Sequence, residues 1–167
     1  MIMKGFEHMS KTITICFSAS GVTKRAAKLI ADTLNTELIE IMPETPYTKE
    51  DLNWRDKSSR TSLEMSDKST RPEIQNEKLD FSGVDTVFLG FPIWWYVAPT
   101  IVNSFLEAND FSGKKIVLFA TSGGSDFGKT VQFLKNSVSA DTVIEEGKVF
   151  TGRFEDADVV RFAKEYI

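Results

Sequence analysis

Three short segments of the sequence combine hydroxyl side chains, glycines and aromatic rings in arrangements that suit ligand binding. They are residues 18–23 (SASGVT), residues 92–96 (PIWWY) and residues 121–128 (TSGGSDFG). No Ser/His/Asp set and no His/Cys spacing typical of a metal site accompanies them, so the sequence supports neither a catalytic triad nor a metal centre. We therefore expect a binding site, and no side chain is assigned as a catalytic acid or base.

The first segment has the composition of a phosphate-binding turn. Ser18, Ser20 and Thr23 carry hydroxyl donors, and Gly21 permits a tight turn before a helix that begins near Val22. Unpaired N–H groups and the positive end of the helix dipole favour an anion at such a position. With no arginine in the turn, neutral donors would hold a phosphate monoester. An ordinary helix N-cap has the same composition, and the segment alone does not decide between the two.

The second segment places aromatic residues at the end of a predicted strand. Trp94, Trp95 and Tyr96 follow Pro92 and Ile93. Aromatic rings at this position can stack on a planar ligand. They can also fill the core or a dimer interface, and we expect at least one of the two tryptophans to be buried.

The third segment combines hydroxyls with adjacent glycines, because Thr121 and Ser122 precede Gly123 and Gly124. Backbone N–H groups can approach a ligand closely where no side chain intervenes. The polar edges of a flat heterocycle would suit them. A phosphate turn, a stacking surface and a glycine loop together describe a mononucleotide-like ligand with an aromatic ring.

A rival interpretation concerns residues Gly123 to Thr130, whose sequence GGSDFGKT satisfies the Walker A pattern of nucleotide-binding P-loops. A P-loop normally opens its domain, whereas fewer than about 40 residues follow this one, and no strand ending in aspartate is among them. We therefore prefer the interpretation in which Lys129 and Thr130 begin an ordinary helix.

Strands and helices alternate along the chain, which predicts an α/β fold with a parallel sheet. We predict strands at residues 12–17, 37–41, 86–89, 115–120 and 142–150, and helices at residues 22–34, about 49–65, after Pro99, around residues 131–138 and at 156–166. Ligands bind beyond the carboxyl ends of such strands, where the winding reverses. The three segments follow strands one, three and four. The weakly patterned residues 43–80 are expected to form a surface excursion over the site.

Composition restricts the class of protein. The 167 residues, 41% hydrophobic and 26% charged, suit one globular domain, predicted to span residues 11–167 after an N-terminal extension at residues 1–10 that contains His8. A net charge of −4 argues against a nucleic-acid partner. Cys16 has no partner for an internal disulfide, and no apolar run is long enough for a membrane span, so a cytoplasmic location is expected.

The three motifs, FSASGVT, GFPIWW and TSGGSDFG, resemble in order and spacing those of the flavodoxin-like family. The resemblance covers nearly the whole chain after Lys11. It implies a three-layer αβα fold, a five-stranded parallel sheet of order 2-1-3-4-5, and bound FMN. By the same resemblance, the phosphate would lie among Ser18, Ser20, Gly21, Val22 and Thr23, and the isoalloxazine would lie between Pro92, Ile93, Trp94 and Trp95 on one side and Thr121, Ser122, Gly123 and Gly124 on the other.

Two residues depart from the family pattern. Val22 stands where asparagine is common, and its backbone N–H can still bind phosphate. Tyr96 stands where glycine commonly follows the paired tryptophans. A bulky residue there is expected to narrow access to the flavin or to prevent a peptide rearrangement that glycine permits.

The resemblance leaves several functions open. We expect a small FMN-dependent oxidoreductase with a diffusible, quinone-like acceptor, reduced by NAD(P)H or by a partner reductase. The alternative is an electron carrier that docks to redox partner proteins, which is expected to have a strongly acidic docking face. The 20 Lys and Arg residues nearly balance the 24 Asp and Glu residues, which favours the enzyme. A flavin-binding sensory module without turnover is a third interpretation.

Overall fold

The computed structural model describes residues 11–167, in which five parallel strands form one sheet with helices on both faces. The strands are β1 (Thr12–Cys16), β2 (Leu38–Glu40), β3 (Thr86–Pro92), β4 (Lys115–Ser122) and β5 (Val143–Thr151). The helices are α1 (Val22–Leu34), α2 (Arg60–Ser66), α3 (Thr100–Ala108), α4 (Thr130–Lys135) and α5 (Asp156–Lys164). The strand order is β2-β1-β3-β4-β5, so the predicted fold class is confirmed. The predicted extension at residues 1–10, with His8, lies outside the described residues.

The winding of the sheet reverses at β1. The chain passes from β1 to β2 on one side and then crosses back to β3 on the other side, so that β1 pairs with both. The strand β4 pairs next to β3. The carboxyl ends of β1, β3 and β4 are therefore neighbours, and the loops that follow them meet at one edge of the sheet.

Both faces of the sheet are covered, because alternate residues of the central strands pack into two separate apolar cores. In β4, for example, Ile116 and Leu118 join one core while Val117 and Phe119 join the other. The first core contains residues of α3 and α4, among them Ile101, Phe105 and Leu134. The second contains residues of α1 and α5, among them Ala27, Ile30 and Val159.

Cys16 belongs to the second core and is fully buried at the end of β1. Burial, together with the nearby Glu40 carboxylate, raises the pKa of its thiol to about 12. A thiol with so high a pKa is a poor nucleophile at neutral pH. Cys16 is therefore a small apolar residue of the core, as its place in the strand predicts.

The predicted helix at residues 49–65 is wrong over residues 49–59, which is about three turns. Only Arg60–Ser66 is helical, and the preceding residues form a series of turns. The N–H of Arg55 donates to Asn53 Oδ1 at 3.2 Å and that of Ser58 to Asp56 Oδ1 at 2.9 Å. Short polar side chains compete in this way with helical hydrogen bonds.

Other elements differ from prediction mainly at their ends. The strand β3 continues to Pro92, three residues beyond the predicted end, and β4 continues to Ser122. In the described part of the chain, no helix is both long and apolar enough to cross a membrane.

Candidate functional site

A cavity of about 810 Å³ lies at the carboxyl edge of the sheet, where the loops after β1, β3 and β4 meet. This volume is in the usual range for small-molecule sites. Ten of the fourteen predicted site residues line it, namely Ser20, Thr23, Pro92, Ile93, Trp94, Trp95, Tyr96, Ser122, Gly123 and Gly124. The other four, Ser18, Gly21, Val22 and Thr121, lie within two positions of these in the sequence.

Ser18 and Gly21 shape the entry to α1. The Oγ of Ser18 accepts hydrogen bonds from the N–H groups of Gly21 and Lys24, both at 3.1 Å. Gly21 is the N-cap residue, with φ of +92° in the region that favours glycine. Ser18 therefore acts as a helix cap, and the phosphate interpretation of this segment concerns its other residues.

The remaining N–H groups of the turn are free to bind a ligand. Within residues 11–167, those of Ala19, Ser20, Val22 and Thr23 donate to no protein acceptor. Val22 is exposed. Together with the positive end of the helix dipole, these groups make a place for an anion.

Lys24 and Arg25 are the cationic residues nearest to the turn in the sequence, and both are paired with carboxylates elsewhere. Lys24 pairs with Glu40 at 3.2 Å, and Arg25 pairs with Asp156 at 3.3 Å while its guanidinium stacks on Phe154 at 4.3 Å. An anion in the turn would therefore be bound by neutral groups.

Thr23 and Thr121 join the first and third loops. Their hydroxyls share a hydrogen bond of 2.7 Å, and both residues are buried. Thr121 thus supports the cavity from behind and does not line it.

The aromatic segment forms a tight reverse turn. Trp94 and Val97 exchange backbone hydrogen bonds of 2.9 and 3.2 Å, and the residues between them, Trp95 and Tyr96, have φ of +50° and +68°. Positive φ at both central positions is the signature of a type I′ turn. Each such bulky residue costs about 1 to 2 kcal/mol. Tyr96 thus occupies a backbone conformation that glycine would adopt without strain.

The two tryptophans of this turn have different environments. Trp94 packs edge-on against Phe17 and Tyr47, with ring centroids 5.5 Å from each. Trp95 is 39% exposed and Tyr96 is 70% exposed. The expectation that at least one tryptophan is buried is met only in part, because Trp94 is half-buried against the core, and the rings of Trp94, Trp95 and Tyr96 all line the cavity.

The third loop is held largely by its own side chains. Ser122 Oγ accepts hydrogen bonds from the N–H groups of Gly124 and Ser125 at 3.1 and 2.8 Å. The N–H of Gly128 donates to Asp126 Oδ1 at 2.9 Å. Fewer N–H groups of this loop therefore face a ligand than the glycine content predicts.

The same loop does not have the chemistry of a P-loop. Thr130, which would have to bind Mg²⁺, is fully buried, and its hydroxyl donates to the carbonyl of Phe127 at 2.5 Å. The helix that follows is only six residues long. The structure therefore favours the interpretation in which Lys129 and Thr130 begin a short ordinary helix, with Lys129 as its N-cap residue.

The excursion between β2 and β3 reaches over this cavity, as expected from the sequence. Its two ends are joined by a bridge between Pro43 and Ile74. Between them, Leu52, Trp54 and Thr61 line the cavity.

Arg60 organises the excursion. Its guanidinium lies 3.7 Å from the centroid of the Tyr47 ring, pairs with Glu64 at 3.0 Å and donates to the carbonyl of Thr45 at 2.7 Å. The hydroxyl of Tyr47 donates to Glu64 at 2.7 Å. Burial, followed by this hydrogen bond, raises the pKa of Tyr47 well above its usual range. Because Tyr47 also packs on Trp94, the excursion supports the aromatic turn.

We expect Arg60→Ala to lower the free energy of unfolding by about 2 kcal/mol, because a cation–π contact and several hydrogen bonds are lost together. Urea denaturation measures this change. Arg55→Ala is the matched control, since Arg55 also lies over a ring, that of Trp54 at 5.1 Å, but is exposed. We expect its effect to stay within about 0.5 kcal/mol. Equal effects of the two substitutions would contradict this role of Arg60.

Five residues of the cavity wall are not among the predicted site residues: Ala19, Leu52, Trp54, Thr61 and Ser125. Ala19 and Ser125 lie inside the predicted loops and carry no chemical signal of their own. Trp54 could have been noticed as a lone aromatic residue in a polar stretch.

A second cavity, of about 560 Å³, lies at the opposite edge of the sheet. Its wall contains Lys78 and Lys114 together with Asp80 and Asp110. Lys114 donates to the carbonyl of Val84 at 2.8 Å, and each aspartate accepts a hydrogen bond from the serine two residues later. Lys114, Asp80 and Asp110 are used within the fold in this way, so this cavity is not the candidate site.

A family model described as Flavodoxin matches residues 11–166. No curated protein matches the chain. Among solved structures, a protein assigned as a flavoprotein from Bacteroides uniformis ATCC 8492 is 39% identical, with TM-score 0.85 over 93% of this chain and 98% of the other. One from Bacteroides eggerthii DSM 20697 is also 39% identical, with TM-score 0.83 over 94% and 98%.

The fold is shared more widely. A flavoprotein from Lactobacillus acidophilus NCFM, solved in complex with FMN, is 19% identical, with TM-score 0.68 over 93% of this chain and 99% of the other. Since the family model spans nearly all of the described chain, and the sheet has the strand order that the motifs imply, the protein belongs to the flavodoxin family.

Proposed function

We propose that this protein is an FMN-dependent oxidoreductase that passes electrons to a diffusible, quinone-like acceptor, and that the cavity beyond β1, β3 and β4 holds the FMN. The observation that carries the proposal is the meeting of a phosphate-type turn, an aromatic turn and a glycine loop around one cavity. Membership of the flavodoxin family supports FMN as the cofactor, and the structurally similar Lactobacillus acidophilus flavoprotein is bound to it.

The residues present fit the phosphate of FMN. The free N–H groups of Ala19, Ser20, Val22 and Thr23 would bind it, with the Ser20 hydroxyl beside them. Ser18 and Gly21 would hold the turn in shape, because they set the start of α1. A buried anion needs such donors, since an uncompensated charge is expensive to desolvate.

The residues also fit a flat ring system. Pro92, Ile93, Trp94, Trp95 and Tyr96 would lie on one side of the isoalloxazine. Ser122, Gly123 and Gly124 would lie on the other, supported by Thr121 through its hydrogen bond to Thr23. Bound FMN supplies the electron transfer, and the chain binds and orients it and excludes water. NAD(P)H or a partner reductase would supply the electrons.

The alternative proposal, an electron carrier that docks to a redox partner protein, needs complementary charge around the cofactor. None of the residues that line the cavity is charged. A partner protein would therefore meet little electrostatic attraction at the mouth of this cavity. The enzyme is the better-supported function for this reason.

Adding FMN to the purified protein tests the cofactor. All three tryptophans of the chain line the cavity, so we expect FMN to quench their fluorescence, to raise the melting temperature and to leave a yellow protein after desalting. A colourless protein whose fluorescence and melting temperature do not respond to FMN would overturn the proposal.

A second experiment separates enzyme from carrier. The FMN-loaded protein is mixed anaerobically with NADH or NADPH, and flavin absorbance is followed. Direct bleaching supports an oxidoreductase that takes electrons from the nicotinamide, whereas bleaching only after a partner protein is added supports the carrier.

A further inference from the structure

Trp54 is a large apolar side chain in an unfavourable position for protein stability. It is 66% exposed, although the residues around it are charged or polar and could have occupied the surface instead. Exposed aromatic groups that gather at one place mark a binding surface. Trp54 lines the same cavity as the exposed Trp95 and Tyr96. A ligand bound in the cavity would account for the exposure of this apolar side chain.

The segment that carries Trp54 is well anchored. The N–H of Thr48 donates to Asp51 Oδ2 at 2.9 Å, and the N–H of Asp51 donates to Thr48 Oγ1 at 3.1 Å. The N–H and hydroxyl of Thr61 both donate to the carbonyl of Asp51, at 3.1 and 2.7 Å. Arg55 lies over the Trp54 ring. The indole is thus presented at a defined place, which lowers the entropy cost of binding a ligand.

The three tryptophans form a gradient from the core to the mouth of the cavity. Trp94 is half-buried against Phe17 and Tyr47, Trp95 is 39% exposed and Trp54 is 66% exposed. Trp94 and Trp95 belong to the loop after β3, whereas Trp54 comes from the separate excursion. A ligand that arrives from solvent therefore meets Trp54 and the 70% exposed Tyr96 before it meets Trp95 and Trp94.

The lining of the cavity also restricts the charge of such a ligand. It contains no charged residue. The turn before α1 has free N–H groups for one phosphate, but those of Gly124 and Ser125 already donate to Ser122 Oγ. Outside the first turn, the residues that line the cavity offer a second anionic group no charged partner, so its desolvation would be unfavourable.

We propose that Trp54 is the stacking surface for the acceptor, and that this acceptor is an uncharged planar ring compound of the quinone class. The inference rests on the proposed function, because it places the acceptor at the mouth of a cavity that holds FMN. The same inference gives the excursion between β2 and β3 a role in substrate selection.

The test uses FMN-loaded, oxidised protein and the probe 1,4-naphthoquinone, with binding measured by calorimetry. We expect Trp54→Ala to weaken naphthoquinone binding about tenfold, the size of one aromatic stacking contact. FMN affinity, measured separately on the apoprotein, should change less than about twofold. Leu63→Ala is the matched control, since Leu63 is 57% exposed on the same excursion but does not line the cavity. It should leave both affinities unchanged.

A separate measurement tests whether the ligand must be uncharged. The anionic probe 1,4-naphthoquinone-2-sulfonate should bind the wild-type protein at least about tenfold more weakly than 1,4-naphthoquinone. Equal binding of the two would overturn the preference for an uncharged ring.

The outcomes separate this inference from the proposed function. Normal FMN binding with unchanged naphthoquinone affinity in Trp54→Ala would overturn the inference alone. If Trp54→Ala weakened FMN binding as much as it weakened naphthoquinone binding, Trp54 would be assigned to the flavin. That result would also overturn the inference. Failure of the wild-type protein to bind FMN would overturn the proposed function and this inference with it.

Discussion

Replacing Ser20 with aspartate is expected to weaken FMN binding about a hundredfold while riboflavin affinity stays within about threefold. Ser20 lines the cavity in the turn whose free N–H groups would bind the phosphate. Two like charges about 4 Å apart repel by about 4 kcal/mol near a protein surface, and partial screening leaves about 3 kcal/mol. Riboflavin has no phosphate, so the new carboxylate should not affect it to the same degree.

The measurement is a fluorescence titration of the apoprotein with each flavin. Ser20→Asn is the matched control, because asparagine has the same shape as aspartate without its charge, and we expect FMN affinity to fall less than about fivefold. Aspartate near the start of α1 interacts favourably with the helix dipole, so the melting temperature of the apoprotein should not fall. If Ser20→Asp weakened both flavins equally, the phosphate would not lie in this turn.

Replacing Gly128 with alanine is expected to lower the free energy of unfolding by about 3 kcal/mol. The new Cβ would lie 2.3 Å from the backbone oxygen of Tyr96, and a backbone atom cannot move aside as a flexible side chain can. Gly128 also has φ of +53°, where alanine costs about 1 kcal/mol, and the overlap adds about 2 kcal/mol. Because Tyr96 would be displaced, the aromatic turn should shift and FMN affinity should fall at least about tenfold.

Thermal unfolding of the apoprotein measures the first effect, and about 3 kcal/mol corresponds to a fall of about 10 °C for a domain of this size. The control is Gly124→Ala, since no atom lies within 4 Å of a Cβ there and its φ is not positive. We expect that substitution to change stability by less than about 0.5 kcal/mol. If the two substitutions had equal effects on stability, the contact between Gly128 and Tyr96 would not support the turn.

Tyr96 shows how a departure from the family pattern becomes interpretable once the backbone is known. From the sequence, a tyrosine in place of the common glycine indicates only a bulky residue near the flavin. In the structure it has φ of +68° directly after Trp95 at +50°, and Gly128 packs on its carbonyl. The backbone of this turn is held by the β4–α4 loop, so a rearrangement of the turn would have to move both loops.

Much of the fold could be predicted because its signals are local. The apolar runs of β1, β3 and β4 and the alternation with helices indicate a parallel sheet, and the parallel sheet by itself brings the three loops to one edge. The errors lie where short-range competition decides the outcome. In residues 49–59, hydrogen bonds that backbone N–H groups donate to the side chains of Asn53 and Asp56 outweigh the helical pattern.

The sequence by itself determined the fold class, the family and ten residues of the cavity wall, because these depend on periodicity and on motifs within single loops. Only the tertiary structure decided the rest. The bond between Thr23 and Thr121 joins residues 98 positions apart, and the packing of Tyr47 on Trp94 joins the excursion to the aromatic turn. Contacts between distant parts of a chain form only when the whole core packs, so no local pattern encodes them.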